Sequence, residues 1–319
     1  MENYKHFFEK NKRSDLYSLL WVFFHLTFVF FPIFITATNI IEISFIFCWI
    51  WFGVFANGII NLMHEAAHRL LFKNKQSSDF FGKWILGPLL FTDFEGYRKR
   101  HWVHHNKFGK KEDTKKTYLV NINKWNSLKF FIECLLLKEG FIKFFSQLQL
   151  KEKKSFTSLK IILRLFLVQS VFLSLIITSG LLFSDMNLYE VFISVSTAYL
   201  FVYLYGLATL SLFFSTLRAI AEHQVNYVNS KEEDKGVLRN LKCNFLTKLV
   251  FGSYGFSEHA THHKFPSIPS YSLKKLTNEL VKDDSELIAH NGYINIILGL
   301  IFKDNSRKNL NLDIKSYNN

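Results

Sequence analysis

The residue type through which this chain could do chemistry is histidine, and its spacing shows how. His259, His262 and His263, in SEHATHHKFPSIP, stand at i, i+3 and i+4. On a helix those positions share one face, so all three imidazoles can point at the same place. The arrangement recurs in HWVHH at His101, His104 and His105, and a related pair, HEAAH, sits at His64 and His68. Eight of the twelve histidines are thereby used, and a ninth, His223 in RAIAEH, could close the set. Imidazole is a good ligand for iron, zinc and copper, and several histidines from separate segments usually mean a metal site. A lone HxxxH pair arises readily by chance, and scattered surface histidines are the competing reading; two copies of HxxHH weigh against it. Nine neutral imidazoles exceed the four ligands that saturate a zinc ion, so the count favours two metals sharing a cluster.

A site built from imidazoles alone leaves the metal without compensating carboxylates, which suits dioxygen chemistry on an unactivated C–H bond. Groups outside the ligand set should fix each ring's tautomer. Glu65, Glu222 and Glu258 each adjoin a proposed ligand, and Asp93, Glu95 and Asp113 lie near the second cluster. Their bland alternative is ordinary surface acids in a basic loop. Arg218 could pair with one of these acids or snorkel to the membrane interface.

The elements that must position these residues are membrane spans. Half the residues are hydrophobic, with 36 Phe, and long charge-free runs separate the basic stretches that give the net charge of +13. Such runs mark spans and not a soluble core. Four are long enough, at about 16–37, 43–63, 165–184 and 191–217. Pro32 is a candidate kink in the first. The links inside each pair carry no Lys or Arg, whereas the N-terminus and the 65–160 loop are rich in both, which places the termini, the loop and all nine histidines on the cytoplasmic side. The expected architecture is all-α and a single domain over 1–319. Two helical hairpins would lie under a cytosolic helical cap formed by 64–160 and 218–319. Two apolar pieces, 80–91 and 130–137, are too short to cross and read as re-entrant or interfacial, the second alternatively as a buried cap helix. Another, 293–302, is expected to pack on the cap or the membrane surface. Lys and Arg between apolar runs are where topology puts them, so nucleic acid is not indicated as a partner. Cys48, Cys134 and Cys243 form no CxxC, which argues against an iron–sulfur cluster, a zinc ribbon or a disulfide framework.

At HEAAH, HWVHH and HATHH the sequence resembles the integral-membrane fatty acid desaturase and hydroxylase superfamily, whose three histidine boxes these match in order and spacing. HATHHKFPSIPSYSLKKL is similar to the stretch that runs from that superfamily's third box into a Phe-Pro-x-x-Pro segment. The resemblance covers roughly residues 40–275. It implies four spans under a cytosolic cap, a di-iron centre in which zinc can replace iron on purification, dioxygen as co-substrate and an apolar substrate in a tunnel. It also implies that His64, His68, His101, His104, His105, His223, His259, His262 and His263 are the ligands. The HxxxH spacing of the first box, and Ala219 where acyl-CoA desaturases have Asn, depart from the acyl-CoA branch. RAIAEH looks like bacterial acyl-lipid desaturases and some membrane hydroxylases, which implies a lipid-linked substrate and a bacterial inner membrane, with the endoplasmic reticulum as the other location. No dinucleotide fingerprint or haem motif is evident, so electrons are expected from a ferredoxin or a cytochrome b5-like donor.

Desaturation is the leading expectation, with hydroxylation on the same scaffold as the alternative. Two other classes remain at this stage. HEAAH also reads as the HExxH helix of a zinc protease, with Glu65 as general base, though that leaves seven histidines without a role. A metal transporter would place polar ligands within its spans, whereas the four charge-free runs hold only His25.

Overall fold

A helix is the structure in which an isolated apolar segment can satisfy its own backbone in lipid, and about twenty residues of it cross a bilayer's hydrocarbon core. In the computed structural model, which describes residues 15–115, 123–149, 155–223, 237–282 and 284–302, four helices meet that requirement. They are Asp15–Thr38, Phe45–Ala67, Leu159–Leu182 and Leu188–His223, the first to fourth spans. Trp51 Nε1 donates to the carbonyl of Phe28 at 3.0 Å, and the His25 ring lies against Gly58. Early residues of the first span thus meet late residues of the second, and the two run antiparallel. Gln169 meets Tyr203, and Gly180 packs against Val191 and Val195, so the third and fourth spans do the same. Phe30 against Phe172, with ring centroids 5.1 Å apart, joins the hairpins. Val29, Ile33, Phe52, Val202 and Tyr203 are buried between them. The first span is helical on both sides of Pro32.

Two spans extend past their charge-free runs. The third helix begins at Ser155 and carries Lys160 and Arg164 in its first turns. The Arg164 guanidinium lies 4.8 Å over the Trp84 ring, so its charge stays at the interface while its stem lies along the helix. The fourth opens on a capping box, in which Asn187 Oδ1 accepts from the amides of Tyr189 and Glu190 while Glu190 Oε2 accepts from the amide of Asn187. It then continues for 36 residues, about 50 Å at helical rise against the roughly 30 Å a bilayer core needs. The surplus lifts Arg218, Glu222 and His223 out of the membrane.

Between the hairpins, the helix Lys75–Phe81 runs on through a wider turn, Gly82–Leu86, to Gly87–Leu89. Its far end dips among the spans. Gln169 Nε2 donates to the carbonyl of Pro88 at 2.9 Å, and the Tyr203 hydroxyl donates to that of Leu89 at 2.7 Å. Gly82 lies against the Phe94 ring, where an added Cβ would fall 2.1 Å from ring carbon, so no larger residue fits without moving that ring. From Phe94 the helix Phe94–Lys107 leads away from the spans and carries the second box. The helix Lys124–Leu135 leans on the fourth span through Phe131 and Phe213, and leaves Trp125, Leu128 and Ile132 outward, as a helix lying among headgroups does.

The rest of the cap closes over the ends of the second and fourth spans. Val237 N donates to the carbonyl of His223 and Arg239 N to that of Glu222, which satisfies the end of the fourth helix. Asn240–Leu241 and Ala289–His290 form a short parallel pair. The helix Tyr293–Ile301 buries Tyr293, Ile296 and Ile297 against Leu217, Ala221 and Phe251, and so packs on the fourth span within the cap.

Candidate metal centre

The third box follows a turn over 253–257 and is held by asparagine. Asn240 Oδ1 accepts from Thr261 N at 3.1 Å, and its Nδ2 donates to Thr261 Oγ1 at 2.9 Å, which fixes the six-residue helix His259–Lys264. Asn61, on the second span, donates to Ser253 Oγ at 2.8 Å and so ties the loop before that box to the first. Arg239 anchors the fourth span's end through the carbonyl of Ala221 at 3.0 Å.

The structure brings all nine predicted histidines together, but in two groups. His64, His68, His101, His105 and His262 form one nest, and His104, His223, His259 and His263 the other; in each, the candidate ligand atoms lie within 4.8 Å of one another. The expectation that the three rings of an HxxHH box point at one place is corrected here. At about 100° per residue, i+3 and i+4 fall on opposite flanks of i, so one helix face addresses two points. The second box gives i and i+4 to the five-membered nest and i+3 to the other; the third box does the reverse. The nests share a wall where the His105 ring stacks on that of His263, with centroids 4.0 Å apart.

The ring nitrogens fit a metal better than they fit each other. The Nε2 atoms of His68, His101, His105 and His262 form a closed circuit with edges of 2.7, 3.0, 3.2 and 3.2 Å. A neutral Nε2 has either one proton or one lone pair, so hydrogen bonding cannot serve two neighbours at every corner. Adjacent ligands on one ion at a metal–nitrogen distance of about 2.0–2.1 Å would be about 2.9–3.4 Å apart. Both ring nitrogens of His64, beside this circuit, and Nε2 of His263 are buried without a hydrogen-bond partner. In the second nest His223 Nε2 faces His259 Nε2 at 2.9 Å and His104 Nε2 at 3.2 Å.

Tautomers are set from outside the nests. His104 Nδ1 donates to Asp113 Oδ1 at 2.9 Å, and His223 Nδ1 to the carbonyl of Ala219 at 2.8 Å, which leaves each Nε2 lone pair directed inward. Burial pushes the ring pKa of His101, His259, His262 and His263 well below the ordinary histidine range, with neighbouring rings adding to the effect. Burial, then the charge of Arg98, brings His68 to about 3, and burial, then His68, brings His105 to about 2. For His104 burial also lowers the pKa, opposed by Asp113. The rings outside the spans are therefore neutral at pH 7, the form that binds metal.

The acids expected around the ligands divide. Asp113 and Glu222 lie at the second nest, the latter with an oxygen 3.9 Å from His259 Nδ1. Arg218 does pair with an acid, its Nε being 3.7 Å from Glu222 Oε1, and it also donates to Asn61 Oδ1 and lies 4.1 Å over the Phe256 ring. Glu258 instead faces Lys274 at 3.3 Å, and Glu95 forms an ion pair with Lys83. Asp93 stands at the start of the helix Phe94–Lys107. Glu65 accepts from Ser270 N at 2.9 Å, at the start of the helix Ser270–Leu280. A protease base would have to face the metal, and HEAAH supplies two members of a five-imidazole nest; neither fits the zinc protease alternative. Sequence reasoning missed Asn61, Asn240, Arg239 and Tyr293, whose hydroxyl donates to Glu222 Oε1 at 2.8 Å. For Asn61 there was a signal, since it and Asn57 are the two amides of an otherwise apolar run, where polar groups are costly unless used.

Compared with known proteins, residues 43–292 match the family model for fatty acid desaturases. No curated protein matches the chain.

Proposed function

The chain belongs to the fatty acid desaturase family, and from that premise we propose that it is an O2-dependent desaturase that introduces a double bond into a lipid-linked acyl chain. The observation that carries the reading is the division of nine neutral imidazoles into two adjoining nests of inward-facing nitrogens. His64, His68, His101, His105 and His262 would hold one iron ion, and His104, His223, His259 and His263 the other. Iron bound there would supply dioxygen activation and one-electron redox chemistry. Asp113 and the carbonyl of Ala219 keep the protons of His104 and His223 on Nδ1, and Arg218 holds Glu222 beside His259.

The family implies an acyl substrate, and the surroundings of the site support one still attached to lipid. An apolar cavity of about 290 Å³ lies beside the fourth span, lined by Val54, Phe214, Leu217, Val250, Ile297 and neighbouring apolar residues. Phe251 also lines it and stacks on Tyr293, whose hydroxyl reaches Glu222, so apolar wall passes into the polar surround of the second nest within two side chains. We place the nests and the termini on the cytoplasmic side of a bacterial inner membrane, with electrons supplied by an external donor. The test is mass analysis of lipids from cells that express the protein with a ferredoxin system. Acyl chains lighter by two hydrogens support the reading; chains heavier by one oxygen would replace it with hydroxylation, and an unchanged lipid profile would overturn it.

A further inference from the structure

Seven of the nine nest histidines are buried, and the two part-exposed ones are His105 and His263; beside His105 stands Trp102, 37% exposed, with its indole 5.9 Å from that ring and 5.0 Å from the His68 ring. One side chain thus joins the molecular surface to two members of the five-histidine nest. The helix that carries it starts at Phe94, packed on the re-entrant segment at Gly82 and Gly87. Trp102 stands eight residues farther along, about 12 Å at helical rise, beyond Arg98 and Lys99. Its ring therefore looks toward water and not toward the hydrocarbon core. The surroundings are basic. Lys99 is exposed one turn before it, and Arg69 and Arg98 share Asp79 beside the end of the second span. Three cations against one carboxylate leave a local excess of positive charge.

We propose that the Trp102 face is the docking surface of a small acidic one-electron carrier protein, and that electrons pass through this indole contact to the five-histidine nest. The inference rests on the redox reading above and adds to it the place and charge of the partner. Removing two hydrogens from an acyl chain yields two electrons and two protons, while reducing O2 to two waters consumes four of each. The carrier therefore gives up one electron at each of two dockings and is oxidised each time, and two protons come from water. Electron tunnelling weakens steeply with distance, so transfer should occur where the ligand rings come nearest the surface. Opposite charge there speeds encounter with an acidic carrier and makes it sensitive to salt.

The experiment measures binding of a reduced acidic [2Fe–2S] ferredoxin to the detergent-solubilised protein, with and without iron, at low and high salt. Lys99→Glu is expected to weaken binding about tenfold at low salt with or without iron, and Trp102→Ala to slow ferredoxin-driven reduction of the iron-loaded protein about tenfold, with Trp102→Phe recovering most of the rate. Reduction by dithionite, which needs no docking, should be the same in all three variants and wild type. Wild type that does not bind the ferredoxin, or variants that bind and are reduced like wild type, would overturn the docking site and leave the desaturase reading standing. Iron-loaded wild type that dithionite does not reduce would instead overturn the redox reading itself.

Discussion

Asp113 tests whether the two nests are separate sites. Its Oδ1 accepts from His104 Nδ1 and from Lys115 N, both at 2.9 Å, and both partners of the His104 contact have side chains only 1% exposed. Among the nine histidines it meets only His104, a member of the four-histidine nest. In Asp113→Asn the side-chain oxygen still accepts from Lys115 N, but the bond to His104 loses its charge and roughly half its strength. Outer partners of metal-bound histidines are worth about 10–100-fold in affinity, or roughly 1.4–2.8 kcal/mol. Asp113→Ala removes the acceptor altogether. A buried Nδ1–H without a partner costs about 1–3 kcal/mol, and the ring can avoid that cost by moving its proton to Nε2, the atom that faces His223. Titration with iron or zinc, followed by metal analysis, should therefore show one ion bound as in wild type and the other weakened about 10–100-fold in the Asn variant and lost in the Ala variant. Parallel weakening of both ions, or of neither, would refute the division into two nests.

His262→Ala should weaken metal binding in the five-histidine nest and His104→Ala in the other, each abolishing turnover while the protein stays in the membrane; metal content and activity of membrane fractions check this. Acid should loosen the cap of the metal-free protein. With folded-state values of about 3 for His68 and about 2 for His105 against 6.5, these rings contribute stability that is complete above about pH 6.5 and is lost as pH falls toward the folded values. By pH 5 the loss is about 2 kcal/mol per ring, visible in tryptophan fluorescence, and a flat signal from pH 7 to 4.5 would contradict it. Glu65→Ala should cost about 1 kcal/mol of helix capping at Ser270 and lower Tm by a few degrees, with both metals retained; loss of bound metal would return Glu65 to the site.

The ligands were readable from sequence because metal binding restricts both residue type and spacing, and the spans because a bilayer demands an uninterrupted apolar length. What escaped was whatever depends on depth or direction. The reach of the fourth helix to His223 is invisible in a hydropathy count, since Arg218 and Glu222 end the charge-free run while the helix goes on. Asn61 and Asn240 act across 192 and 21 residues of sequence, and no local pattern marks such a contact. Glu258 adjoins a ligand in sequence, yet faces Lys274 because neighbouring residues on a helix start point about 100° apart.

That same 100° explains why the HxxHH box occurs twice. Each HH pair sends one ring to either nest, so the separation of the nests is set by a single step of helical backbone, once from His104 and His105 and again, in the opposite sense, from His262 and His263. Two boxes used in opposite sense contribute three rings to each nest. The imbalance then comes from the spans alone, as the second adds the pair His64 and His68 to one nest and the fourth adds only His223 to the other. A metal with fewer protein ligands keeps a position for exogenous ones, which makes the four-histidine nest the expected side for substrate and oxygen. The apolar cavity lies on the side of that nest, since its wall residue Phe251 stacks on Tyr293, whose hydroxyl donates to Glu222 beside His259, whereas the Trp102 ring lies against His68 and His105 of the five-histidine nest. The histidine count of each nest, the place of the apolar cavity and the proposed electron entry thus assign the same two sides.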